Sequence, residues 1–170
     1  YLNYLGTETK SAEDVKKEFY KLGVNFRTFA ADNRCYVRLS GLESTMPEAV
    51  KLLEDIMHNA KADEASYNEF VKGIIKKRSD SKLNKDEIKW SGLYSYAMYG
   101  KNSPFMNDLS NEELENLDPN ELTKIIDDIF NYEHRVMYYG SKNQKEVEQM
   151  VMNNHQMPET LTPLPEAKKF

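Results

Sequence analysis

Residues 24–39 carry the pattern that most restricts the fold of this chain. From residue 24 to residue 30, side chains suited to a buried face alternate with side chains suited to the opposite face. This two-residue period is typical of a half-buried strand. Asp32-Asn33 predicts a turn, and the alternation resumes over residues 35–39. Two alternating runs joined by a short turn predict an antiparallel β-hairpin.

Helical patterns precede and follow this hairpin. Ser11 can accept a hydrogen bond from a free backbone amide and so begins an amphipathic helix. Thr45-Met46-Pro47-Glu48 has a capping-box pattern with an early proline. Further helices are predicted to begin near Asp63, Asn84, Ser110, Asp118 and Gln144.

A third strand is predicted over Arg135–Tyr139, closed by Gly140. About seven helical segments and three strands predict an α+β fold, with a thin antiparallel sheet packed against several helices. Residues 1–152 are expected to form a single domain. Residues 153–170 contain three prolines among polar residues and are expected to be a linker or a tail laid on the surface. Because the pattern opens mid-helix at Tyr1, we expect an excised fragment truncated at its N-terminus, and lost strands would explain the thin sheet.

Composition excludes several classes of protein. The net charge of −5 and the absence of a basic stripe argue against nucleic-acid binding. No apolar run approaches the roughly 18 residues of a membrane span. One cysteine, Cys35, excludes an internal disulfide framework, and its apolar strand predicts a buried, inert thiol.

The residues that could support catalysis are few. A hydrolytic zinc site needs three protein ligands and an open position, and His58, His134 and His155 have no partner at helical spacing. We predict a structural role for His58 and no metal at the other two. Carboxylates that we expect to be merely solvated are Glu113, Asp127, Asp128 and Glu146. The many tyrosines favour core and interface packing, with a peptide groove as the alternative use; they cluster at Tyr94, Tyr96, Tyr99, Tyr138 and Tyr139.

The order of several short motifs resembles the pitrilysin, or insulinase-like, zinc metallopeptidase family. The similarity extends to about Met152. Its landmarks are Tyr1-Leu2-Asn3-Tyr4-Leu5-Gly6-Thr7, the helix from Ser11, Arg34-Cys35-Tyr36-Val37, the helix from Pro47, Asn102-Ser103-Pro104-Phe105, Leu109-Ser110 and Tyr138-Tyr139-Gly140.

The resemblance implies that the zinc ligands of the family are missing from this chain. Active members carry an inverted motif, His-x-x-Glu-His, on a helix leading to Gly-Thr, and alignment on Gly6-Thr7 places Tyr1 at the second histidine. A phenol keeps its proton at neutral pH and is a poor zinc ligand. The third ligand of the family is a glutamate on a later helix, where this chain has no acid near Ile75 and Lys76. We therefore expect no catalytic residue and no metal site here.

The resemblance also implies a role. The family builds two halves from homologous α+β units, with zinc in the N-terminal half, and this chain is similar to the first unit of the C-terminal half. The expected function is a non-catalytic domain that helps to enclose the peptide substrate of a zinc metalloendopeptidase, inactive by itself, with the other units as partners. The alternative is a stand-alone assembly subunit without peptidase activity. The isolated fragment could form a homodimer through exposed apolar patches, and the resemblance favours the bacterial periplasm or cell envelope.

Overall fold

The computed structural model describes residues 1–31, 34–103 and 108–166, except for the side chain of Ala31. The structure is α+β, as predicted. The strands are β1 (Val24–Ala31) and β2 (Arg34–Gly41). The helices are α1 (Ala12–Lys21), α2 (Met46–Asn59), α3 (Glu64–Ser81), α4 (Lys85–Glu87), α5 (Tyr94–Tyr99), α6 (Asn111–Asn116), α7 (Pro119–Asp128) and α8 (Gln144–Asn154). Short 3-10 turns cover Leu2–Tyr4, Glu43–Thr45, Gly100–Asn102 and Ile129–Asn131, and a π-helical turn over Ile88–Leu93 connects α4 to α5.

These elements form two compact units. The first contains residues 1–62 and 120–166, and the second contains residues 63–119. The tail predicted to begin at residue 153 contributes to the first unit, because Thr162 bridges to Tyr132. The single-domain boundary at residue 152 stays a prediction.

The predicted hairpin is confirmed. β1 and β2 pair in antiparallel register, with Val24 opposite Gly41 and Ala30 opposite Cys35. The turn predicted at Asp32-Asn33 lies outside the described residues. Cys35 is exposed, so the prediction of a buried thiol is wrong. The core reaches Val37 on β2 but does not extend to Cys35 at the turn end of the hairpin.

The core of the first unit lies between α1, α2 and the hairpin. Val15 and Phe19 are buried on α1 because they lie four residues apart on one helical face, and the ring of Phe19 stacks on Phe26 of β1 with centroids 5.2 Å apart. α2 lies at the centre and buries Ala49, Leu52, Leu53, Ile56 and Met57. Val50 of the same helix is only half-buried.

The start of α2 differs from the prediction. The helix begins at Met46, but the Thr45 side chain does not cap it. The Thr45 hydroxyl instead donates to the backbone oxygen of Leu22, at 2.6 Å, and so connects α2 to the end of α1. The capping box predicted here is wrong because a carbonyl from another element attracts the hydroxyl.

The predicted third strand is also wrong. Residues 133–139 have no strand assignment, and the sheet of the described residues contains β1 and β2 alone. A run of apolar residues becomes a strand only when a neighbouring edge accepts its backbone hydrogen bonds. Here the neighbouring pairing is the single bridge between Tyr132 and Thr162.

The second unit is held by α3 and α6. Tyr67 and Val71 of α3 and Leu114 of α6 are buried, and the Tyr67 hydroxyl donates to the backbone oxygen of Leu114 at 2.6 Å. Its predicted helix starts are confirmed, because the side chains of Asp63, Asn84 and Ser110 each accept from a backbone amide in the first turn.

Candidate functional site

The three histidines of the chain converge on one buried carboxylate, that of Glu54. Glu54 and His58 lie four residues apart on α2 and therefore on one face of it. His134 follows the turn after α7, and His155 is the residue that ends α8. His155 and Glu54 are about 100 residues apart in the sequence and are joined here by a hydrogen bond.

Hydrogen bonds join these groups in a chain, which we call the His–Glu network. Nδ1 of His155 lies 2.6 Å from Oε1 of Glu54. The two Nε2 atoms of His134 and His155 lie 2.9 Å apart, and Nδ1 of His134 lies 2.7 Å from the backbone oxygen of Tyr132. The backbone N–H of Gln156 donates to Oε2 of Glu54 at 3.2 Å. The network therefore fixes the first residues of the tail against α2.

A branch of the network includes His58. Nδ1 of His58 lies 2.7 Å from Oδ1 of Asp127 on α7. Its buried Nε2 lies 3.5 Å from Oε2 of Glu54, a distance at which the two form no aligned hydrogen bond. Asp127 is exposed, as expected, and in addition it orients this imidazole.

The surroundings exclude water from the centre of the network. Glu54 is 6% exposed, and the side chain of His155 is 7% exposed. The ring of Phe130 lies edge-on to His155, with centroids 4.9 Å apart, and also contacts His58 and His134. Hydrogen bonds between charged groups are strengthened in such an environment.

This arrangement can hold and exchange protons. Two facing imidazole nitrogens are not a metal centre by themselves, since a stable zinc site uses three or four protein ligands. Within residues 1–31, 34–103 and 108–166, no three acidic, histidine or cysteine side chains are grouped so that they could hold a metal ion. Sequence reasoning predicted a structural role for His58 and missed the convergence, because histidines from three elements meet only in the folded chain. One available signal was Glu54 itself, a carboxylate between apolar positions on the buried side of α2.

The residues at the expected zinc-ligand positions have other environments. Tyr1 is half-buried and packs against the core of the first unit. Ile75 is half-buried on α3, and Lys76 is exposed. Glu69, the nearest preceding acid, pairs with Lys72 at 2.8 Å on the surface. The absence of a metal from this chain stays a prediction.

A second carboxylate, Glu43, holds the segment after His134. Oε2 of Glu43 accepts from the Ser141 hydroxyl at 2.7 Å, from the Ser141 backbone amide at 3.1 Å and from the Tyr138 hydroxyl at 2.9 Å. Lys142 adds an ion pair at 3.5 Å. The Ser141 and Tyr138 hydrogen bonds lower the pKa of Glu43 to about 2. These contacts draw Tyr138 towards the end of β2 without forming a strand.

Other carboxylates expected to be solvated serve as helix caps or turn contacts. Glu113 and Glu146 complete the capping boxes of α6 and α8. Asp128 accepts from the side chain of Asn131 at 3.2 Å.

Apolar surface is exposed in both units. In the first, an open groove of about 590 Å³ is lined by Val136, Tyr138, Lys142, Gln144, Val147, Glu148, Val151 and Met152. In the second, residues 88–99 expose a set of large side chains that would normally be covered: Ile88, Trp90, Leu93, Tyr94, Tyr96, Met98 and Tyr99. Tyr94, Tyr96 and Tyr99 are exposed and take no part in the core, so of the expected core and interface packing only the interface part stays a prediction for them. Contiguous exposed apolar surface is typical of interaction sites.

Comparison with known proteins adds one relative. No protein-family model matches the sequence. A stretch of 101 residues is 27% identical to the ubiquinol-cytochrome-c reductase complex core protein I, mitochondrial, of Euglena gracilis. That stretch is 59% of this chain and 20% of the relative, so the match spans about a fifth of the length of the relative. The relative belongs to the pitrilysin or insulinase-like family. In the described part of the chain, no helix is long and apolar enough to cross a membrane.

Proposed function

We propose that this chain is a non-catalytic structural unit of a pitrilysin-like protein, which acts by packing against other units of the same protein or assembly. The observation that carries the proposal is the set of residues at the expected zinc-ligand positions. Tyr1 packs into the core, and the α3 positions hold an aliphatic and a cationic side chain, Ile75 and Lys76. A lysine at a ligand position repels a divalent cation.

The exposed apolar surface supports a packing role. Trp90 and Leu93 are more than half exposed in the second unit, and the groove beside α8 is lined mainly by apolar side chains in the first. Aromatic side chains are enriched at protein interfaces because they offer a large apolar face. Homologous units of the parent protein are the proposed partners for this surface.

Two forms of this role differ in the parent protein. In the first, the unit helps to enclose the peptide substrate of a zinc metallopeptidase whose zinc lies in another unit, as the resemblance implies. In the second, it is an assembly subunit without peptidase activity, and the relative, which is named a core protein of a reductase complex, favours this form. An upstream His-x-x-Glu-His in the same reading frame would support the first form, and its absence would support the second.

The test of the proposal is zinc stoichiometry. The chain is incubated with excess zinc, desalted, and its metal content and its activity on unstructured peptides are measured. We expect neither stoichiometric zinc nor cleavage, because one expected ligand position holds a phenol, which is a poor zinc ligand, and another holds no acid. One tightly bound zinc per chain, or cleavage that a chelator abolishes, would refute the proposal.

A further inference from the structure

The hairpin packs one face on the core and exposes the other. Successive side chains of a strand alternate between the two faces, and Phe26 packs against the core. On the opposite face, the register places Arg27 directly across from Arg38 and Phe29 directly across from Tyr36. We call these four residues the hairpin outer face. Tyr36 is half-buried, and the other three are exposed.

The two arginines of the hairpin outer face have like charges in directly opposite positions. Side chains so placed have Cβ atoms about 5 Å apart, and like charges there destabilise the pairing of the strands. Neither β1 nor β2 contains an acidic residue. In the part of the chain that the structure describes, no carboxylate forms an ion pair with Arg27 or Arg38. The strands therefore carry an uncompensated pair of cations in a chain whose net charge is −5.

Other cations of the chain are paired with acids. Lys10 lies 2.9 Å from Glu18, and Lys72 lies 2.8 Å from Glu69. Acids outnumber lysines and arginines by 28 to 23, so a shortage of carboxylates does not explain why the arginine pair has none. The negative charge that complements this pair is best supplied from outside the chain.

The aromatic pair positions one of the arginines. The rings of Phe29 and Tyr36 stack with centroids 4.8 Å apart and planes inclined by 9°. The guanidinium carbon of Arg27 lies 5.5 Å from the centroid of the Phe29 ring. A guanidinium packed on a ring keeps the N–H groups at its edge, where they can bind a carboxylate in bidentate fashion. Binding then costs less side-chain entropy than it would for a free arginine.

We propose that the hairpin outer face binds an acidic peptide segment of another protein, one carboxylate of which accepts hydrogen bonds from both Arg27 and Arg38. A carboxylate has two oxygens and can accept from two guanidinium groups. Its charge would offset the repulsion between the arginines, so the bound peptide also stabilises the hairpin. The surface contains none of the residues of the apolar groove and none of residues 88–99, so the inference does not rest on the proposed packing role.

The contacts of the aromatic pair favour a peptide over single-stranded nucleic acid. Nucleic acid binds to sheets by stacking its bases on aromatic rings, whereas Phe29 already contacts Tyr36 and Arg27. The net charge of −5 also opposes a backbone that bears a phosphate at every nucleotide. A peptide with a few carboxylates meets less of this repulsion.

Fluorescence anisotropy of a labelled peptide of alternating serine and glutamate tests the proposal on the full 170-residue chain. At about 0.05 M salt, we expect binding of this peptide and none of the same peptide with glutamine in place of glutamate. Arg38→Gln should weaken binding about tenfold, because hydrogen bonds between charged groups are lost. Lys85→Gln removes an exposed cation outside the hairpin and should leave the affinity unchanged.

The urea midpoint separates loss of the surface from loss of the fold. Arg38→Gln should not lower the midpoint, because it removes a like-charge repulsion. If this variant does not fold, Arg27→Gln removes the other arginine of the pair and is measured in the same way. Equal affinity for the two peptides, or equal affinity of Arg38→Gln and Lys85→Gln, would overturn the proposal. So would tighter binding of a labelled oligothymidylate, or self-association of the chain that Arg38→Gln abolishes, since a second copy would then be the partner.

Discussion

Ile56 offers the sharpest test of the core. It is 0% exposed on α2, in the middle of the cluster formed with α1 and the hairpin. The same helix carries Glu54 and His58. Ile56→Ala removes side-chain volume without adding a polar group, so its effect reports packing alone.

The magnitude follows from burial. The substitution removes three side-chain carbons, each worth about 0.8 kcal/mol when fully buried. This gives about 2.4 kcal/mol of lost transfer free energy. An incompletely filled cavity adds to it, so we expect the free energy of unfolding to fall by about 3–4 kcal/mol. With a urea dependence of about 2 kcal/mol per molar, the midpoint falls by about 1.5–2 M.

Urea titration followed by far-ultraviolet circular dichroism measures this loss. Ile125→Ala is the matched control, because Ile125 is 59% exposed on α7 and the chemical change is identical. The control is expected to change the free energy of unfolding by about 0.5 kcal/mol or less. If both variants lost the same free energy, the position of Ile56 in the core would be wrong.

Three further predictions concern Glu43 and two glycines. Ser141 and Tyr138 lower the folded pKa of Glu43 to about 2, so its contribution to stability is present above its ordinary pKa near 4.5 and is lost as the pH falls through about 2. Glu43→Gln should therefore reduce the change of the urea midpoint with pH across this window. An unchanged pH dependence in acid would contradict the assignment. Gly73→Ala should raise the free energy of unfolding by about 0.5–1 kcal/mol, since it lies within α3 with open space around its Cα. Gly41→Ala should lower the urea midpoint, because a Cβ there would clash with the backbone oxygen of Gly23. A neutral result would show that the close approach is absent.

Elements with local signals were predictable from the sequence. The hairpin is specified by alternation within a short span, and α1 by Ser11 together with Val15 and Phe19, which meet through neighbouring turns of one helix. Predictions failed where the outcome depended on a distant partner. Residues 135–139 have strand-like composition, but the described structure provides no edge to pair with them. Thr45 fits a helix cap, yet its hydroxyl bonds to Leu22.

The His–Glu network lies beyond local sequence reasoning for the same reason. His58 and Glu54 share a helical spacing that can be read directly, but His134 and His155 have none in common with them. Their meeting depends on the path of the chain after α7 and after α8, which no short motif encodes. A wide separation between histidines in the sequence is therefore poor evidence that they do not share a site.

The position of the network on α2 connects the tail to the core of the first unit. Ile56 lies between Glu54 and His58 in sequence and faces the core, while the other two face the tail and α7. Docking of the tail therefore requires a formed α2, and any free energy gained by docking stabilises that helix by the same amount.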